Sequence, residues 1–190
     1  DSYVQFFKNM NSIGVIILLL VFAGTVADEK VKGSASLILT KNLSRPAFVL
    51  AKFTAAAFLW TAIYAAAALV CQGYTLWLFP GESANNLLAG FASYWLYGLL
   101  LLAFTVLAST AAKGHGLATL GAFAGWGLML VSMIPAKVAA VSPAALGAVN
   151  LQVIAGMMPL SDLLVPILAA VVLVALALGS AAWAITKQEL

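Results

Sequence analysis

Charge is what this sequence has least of. Asp, Glu, Lys and Arg make up 8% of its 190 residues, where soluble domains carry roughly 25%. Hydrophobic residues make up 64%. A soluble fold could not bury so much apolar surface, so the composition excludes one and points to an integral membrane protein. There is a single cysteine, Cys71, which excludes an internal disulfide framework. It lies in an apolar run and reads as a small residue facing lipid or a neighbouring helix. The single histidine, His115, sits in the polar turn Lys113-Gly114-His115-Gly116 with no carboxylate or cysteine close in sequence. A metal site or a general base needs such partners, so His115 reads as a solvated turn residue. No Gly-x-x-x-x-Gly-Lys-Ser/Thr phosphate loop occurs. No Asp, Glu, Lys or Arg falls in the middle of an apolar run, which argues against a proton- or sodium-coupled carrier. The net charge of +3 is no nucleic-acid footprint, because the basic residues gather in loops, as membrane orientation requires.

What is present is a series of apolar runs. A helix needs about 20 residues to cross a hydrocarbon core of roughly 30 Å. Five runs qualify as spans: residues 11–27, 47–71, 88–112, 117–134 and 163–186. The first is short and borrows a turn from residues 7–10, within an interfacial lead-in that holds Tyr3, Phe6 and Phe7. Lys8, the apolar core and Thr25-Val26-Ala27 also imitate a signal peptide. The basic cluster that follows argues against that, since translocated flanks avoid Lys and Arg. Residues 72–87 hold no Lys or Arg and read as an external loop, with Tyr74, Trp77 and Phe79 as an aromatic belt. Gly121-x-x-x-Gly125 is either a helix-contact motif or chance. Residues 136–162, with Pro143 and Pro159 bounding a short apolar stretch, read as a re-entrant or interfacial segment outside the membrane's cytoplasmic face. Ser161 is placed to cap the last helix, with Asp162 at its positive end. The fold class expected is an all-α polytopic membrane bundle. Its polar span residues, among them Thr54, Thr61, Thr105 and Ser109, are expected mostly to bond backbone carbonyls.

One stretch breaks the pattern. Residues 28–52 hold Lys30, Lys32, Lys41, Arg45 and Lys52, five of the nine basic residues, beside Asp28 and Glu29. Flanked by apolar runs, it reads as a cytoplasmic loop. In its middle Leu37, Ile38 and Leu39 suit a short helix that offers an apolar face to a partner. Counted over the chain, seven basic residues fall on the side of this loop and two, Lys8 and Lys137, on the other. That puts the N-terminus outside and the C-terminus in the cytoplasm.

The spacing of Glu29, Lys30, Lys32, Gly33, Ser34, the trio Leu37-Ile38-Leu39, Ser44-Arg45 and Lys52 resembles the cytoplasmic coupling segment of type-2 ABC transporter permeases, the six-helix exporter class. Asn42 stands where that family commonly has Pro, Pro46 follows the Arg, and Val31 replaces a commonly charged residue. The resemblance implies a permease in a bacterial plasma membrane, with a coupling loop over 28–46. It implies an ATPase contact made by Glu29, Lys30, Lys32, Gly33, Leu37, Ile38, Leu39, Lys41, Ser44 and Arg45. The implied partners are a cytoplasmic ABC ATPase subunit, a second permease copy or homologue, and membrane lipid, with no nucleic acid. No cofactor is expected on this chain, since ATP is used by the partner. Five spans with an external start imply a further span upstream of Asp1. The family's pathway would run along 11–27 and 117–134, whose apolar walls suit an amphipathic cargo, though ordinary helix packing explains them as well. The competing readings are a non-transport membrane scaffold or assembly subunit and, less supported for want of clustered polar residues, an intramembrane enzyme.

Overall fold

A computed structural model describes residues 2–32, 44–79, 86–139 and 141–187. Of the expected coupling loop, Gly33, Leu37, Ile38, Leu39 and Lys41 lie outside these described residues. The rest is helical. Helix α1 runs Ser2–Val31 as one rod, with a π-helical turn at Met10–Gly14. Helix α2 is Arg45–Leu78 and α3 is Leu87–Ala111. Helix α4 is His115–Val131, α5 is Ala136–Ala139, α6 is Asn150–Ile154, and α7 is Leu164–Thr186, preceded by a 3-10 turn at Leu160–Leu163.

Four of these helices are long and apolar enough to cross a membrane. The chain is thus an all-α polytopic membrane bundle. Helix boundaries depart from the sequence expectation at several ends. The lead-in is part of α1 from Ser2 onward, with Tyr3 and Phe7 buried against the bundle. Residues 72–78, expected in a loop, continue α2 to Leu78. Helix α4, at 17 residues, is only about 26 Å long. Ser161 does not cap the last helix. The 3-10 turn starts earlier, with Pro159 as its N-cap, and Ser161 Oγ meets Asp162 Oδ1 at 3.3 Å.

Helix α3 is the axis of the bundle. It packs on α1, α2, α4, α6 and α7 and is the most buried of the four long helices. Close approach explains its composition. Gly98 lies under the Trp60 indole, where a Cβ would overlap the ring. That ring is fixed from both sides. Its Nε1 donates to Trp95 O at 3.1 Å, and it stacks on Tyr64 with centroids 5.1 Å apart. Tyr64 in turn donates to Phe91 O at 3.0 Å. Gly121 and Gly125 face Ala108 and Phe104 of α3, so the Gly-x-x-x-Gly motif is a packing face. Polar span residues mostly bond one turn back: Thr54 to Leu50 O, Thr61 to Ala57 O, Thr105 to Leu101 O. Such bonds satisfy hydroxyls that lipid cannot.

The segment between α4 and α7 is broken into short turns that fold onto the bundle. Ser142 caps the 3-10 turn Pro143–Gly147, its Oγ accepting from Ala144 N at 3.2 Å. Asn150 is 1% exposed. Its Nδ2 lies 2.7 Å from Leu146 O, 3.0 Å from Ser93 Oγ and 3.3 Å from Gly90 O. This polar anchor holds α6 to α3, where irregular backbone must be satisfied by protein.

Candidate functional site: the charged end of the bundle

The charged residues singled out by sequence collect at one end of the bundle, where α1 and α3 end and α2 and α4 begin. Asp28, Glu29 and Lys30 are consecutive in the last turns of α1. On a helix, successive side chains are about 100° apart, so three neighbours in sequence must point to three sides. They do, and each side holds a different helix.

Asp28 faces α4. His115 Nδ1 lies 3.2 Å from both Asp28 oxygens. The two side chains are 40% and 52% exposed, and pairs this wet contribute about 1 kcal/mol or less, so the pair orients more than it stabilises. Gly24, one turn earlier, makes room for it. A Cβ there would overlap the Asp28 carboxylate and crowd His115. Beneath them Ala23, Ala27, Ala112 and Ala118 form a small-residue seam between α1 and the α3–α4 turn. The seam brings the backbones close enough for Ser109 Oγ to accept from the N–H groups of both Val26 and Ala27 at 3.0 Å.

Glu29 faces α2 and forms an ion pair with Lys52. Lys30 faces the C-terminus of α3, donating to Thr110 O at 2.6 Å and Ala112 O at 2.7 Å. The last carbonyls of a helix have no partner within it and carry partial negative charge, so a cation there satisfies both needs. Arg45 repeats the device at the start of α2. Its Nη1 reaches Thr186 O at 3.2 Å and Ile185 O at 3.4 Å, on the last turn of α7. Ser44 is the N-cap of α2, its Oγ accepting from Ala47 N at 3.4 Å, with Pro46 in the first turn, where its missing N–H costs nothing. Lys32 is exposed and ends α1. Lys187 Nζ sits 4.1 Å above the Trp183 ring.

Together, then, the described root residues tie all five long or apolar helices at this end. Among the described residues no three His, Cys, Asp or Glu side chains gather in a metal-binding group. The arrangement joins the described residues on either side of positions 33–43 to the other helices through short polar contacts.

Two contacts lie beyond the sequence reading. His115, read as a solvated turn residue, is exposed and also has a carboxylate partner 87 positions away in sequence, which no local pattern could reveal. Glu29 contacts Lys52, and Arg45 reaches α7. Lys52 lies two turns into α2 and so faces the last turn of its antiparallel neighbour α1.

A family model described as "ABC-2 family transporter protein" matches residues 4–186 of the chain. Neither a curated protein nor a solved structure matches it.

Proposed function

We infer, from the premise that the chain belongs to the ABC-2 family of transporter proteins and is the permease subunit of an ABC transporter, that it serves an ATP-driven exporter. It pairs with a second permease copy or homologue, and a separate cytoplasmic ATPase supplies the free energy. The segment 33–43 carries the ATPase contact. One observation carries this reading: the two roots of that segment are tied to each other by Glu29 and Lys52, and to the ends of three other helices by Asp28, Lys30 and Arg45. A force applied to the segment therefore enters the whole bundle and is not lost in one loose loop. The apolar faces along 11–27 and 117–134 suit an amphipathic or lipid-like cargo.

The contact is tested by isolation from the native membrane. Tagged wild-type chain should bring down vanadate-sensitive ATPase activity. Leu37→Asp should place a charge in a desolvated contact and weaken that association by several kcal/mol, so that little activity comes down while insertion is unchanged. Wild-type chain that carries no ATPase activity, or a Leu37→Asp variant that carries as much, sinks the proposal.

The seven-to-two split of basic residues supports an orientation with the charged end and the C-terminus in the cytoplasm. In a Cys71→Ser background, Lys41→Cys should resist a membrane-impermeant thiol reagent in intact cells and react after permeabilisation. Labelling in intact cells reverses the assignment.

A further inference from the structure

A laterally open groove of about 590 Å³ runs between α2 and α3 in the half of the bundle away from the charged end. Its floor is made of small residues, Ala65, Ala68 and Ala92, and its rims of Leu69 and Leu88, which are 72% and 83% exposed. At one end Trp95 Nε1 donates to Thr61 Oγ1 at 3.0 Å. At the other Tyr3 Oη donates to Gln72 Oε1 at 2.6 Å. Between them the Tyr64 hydroxyl is turned to Phe91 O, and the other lining side chains of the trough are apolar.

The dimensions identify what fits. Thr61 stands at the midpoint of α2, Arg45–Leu78, and so near the middle of the membrane. Gln72 lies within two turns of Tyr74 and Trp77, exposed aromatics of the kind that mark the membrane–water interface. The eleven helical steps from Thr61 to Gln72 span about 16 Å. That is half of a hydrocarbon core of roughly 30 Å, the depth of one leaflet. The walls are already set, because Trp95 and Tyr64 are held by hydrogen bonds to Thr61 and to Phe91 O. An occupant therefore does not have to order these two aromatic walls on entry, which removes part of the cost of binding.

We propose that this groove holds a single acyl chain of a membrane lipid from the leaflet opposite the charged end, lying along α2 with its methyl end near Thr61 and its headgroup beside Gln72. The inference is independent of what the transporter moves. It is tested with the full chain reconstituted in phosphatidylcholine vesicles that contain a phosphatidylcholine bearing a diazirine on its acyl chain. After photolysis, crosslinked sites are mapped by mass spectrometry. Leu69, Leu88 and Ala92 should be labelled several-fold more than Leu168 and Leu176, which are exposed on α7 and meet only bulk lipid. Ala92→Trp fills the trough and should lower labelling of Leu69 and Leu88 several-fold, with Leu168 and Leu176 unchanged. Ala68→Leu, a smaller filling that keeps helicity, should act in the same direction. Even labelling across all exposed leucines, or labelling that neither variant lowers, overturns the proposal. So do unlabelled groove residues accompanied by crosslinks between chains, which would place a second copy in the groove.

Discussion

Gly98→Ala should destabilise the folded bundle by about 2–4 kcal/mol, the cost of overpacking added to that of a broken buried hydrogen bond. The added methyl would overlap the Trp60 indole. In a looser core the ring would turn aside. Here it cannot do so cheaply, because its N–H is committed to Trp95 O and its face to Tyr64. Tyr64 is itself bonded to Phe91 O and stacked on Tyr94. Moving the indole therefore disturbs three aromatic side chains between α2 and α3. Thermal unfolding in detergent, followed by loss of monodisperse protein, checks this. Trp60→Phe placed in the Gly98→Ala background should recover part of the loss, since the smaller ring clears the methyl. A Gly98→Ala variant as stable as wild type would show that the two helices separate freely at this level.

Glu29→Ala should leave insertion and assembly unchanged while lowering the cargo moved per ATP hydrolysed several-fold. Glu29 links the last turn of α1 to Lys52 on α2, and these two helices lead into and out of the segment 33–43. A pair that is about one-quarter exposed on each side adds little to stability, so its removal should spare the fold. Its effect is on stiffness: with the pair gone, the two helix ends can move apart and absorb displacement at the segment. Lys52→Met should act in the same direction, and the double change should cost less than the sum of the two, because the two side chains share a contact. The exchange Glu29→Lys with Lys52→Glu should restore much of the transport per ATP. If Glu29→Ala moves cargo at the wild-type ratio, the ion pair is a topological signal and plays no part in coupling.

The membrane bundle was legible from composition and run length, because hydrocarbon imposes one rule on every span: bonds within the segment and apolar side chains outside. Chain turns marked by Gly and Pro were legible for the same reason. The ends of helices were less so. Residues 1–10 looked interfacial because aromatics next to Lys8 occur at a membrane surface, yet Tyr3 and Phe7 turn inward as part of the helix. Ser161 looked like a cap, but Pro159 had already started the turn. At the charged end the residue set Glu29, Lys30 and Arg45 could be chosen from spacing, whereas their partners could not. Lys30 and Arg45 bond carbonyls, and a carbonyl has no letter in a sequence. Asp28 and His115 meet across 87 positions, with only the shared end of the bundle as a hint. The groove between α2 and α3 was hidden because the difference between a packed and an open alanine face is set by the neighbour.

The fan made by Asp28, Glu29 and Lys30 also sets how this end of the protein can change over evolutionary time. Two of its contacts are between side chains, Asp28 with His115 and Glu29 with Lys52, so a new residue at one position is tolerated best when its partner changes to match. Those pairs can drift only together. Lys30 is different, because the carbonyls of Thr110 and Ala112 are present whatever residues stand there. A change at position 110 or 112 therefore leaves the cation its acceptors and is limited by the packing around those two buried side chains. A one-residue insertion in α1 just before Asp28 is the change the arrangement tolerates least, since it would turn the fan by a hundred degrees and aim all three side chains at the wrong neighbour in a single step.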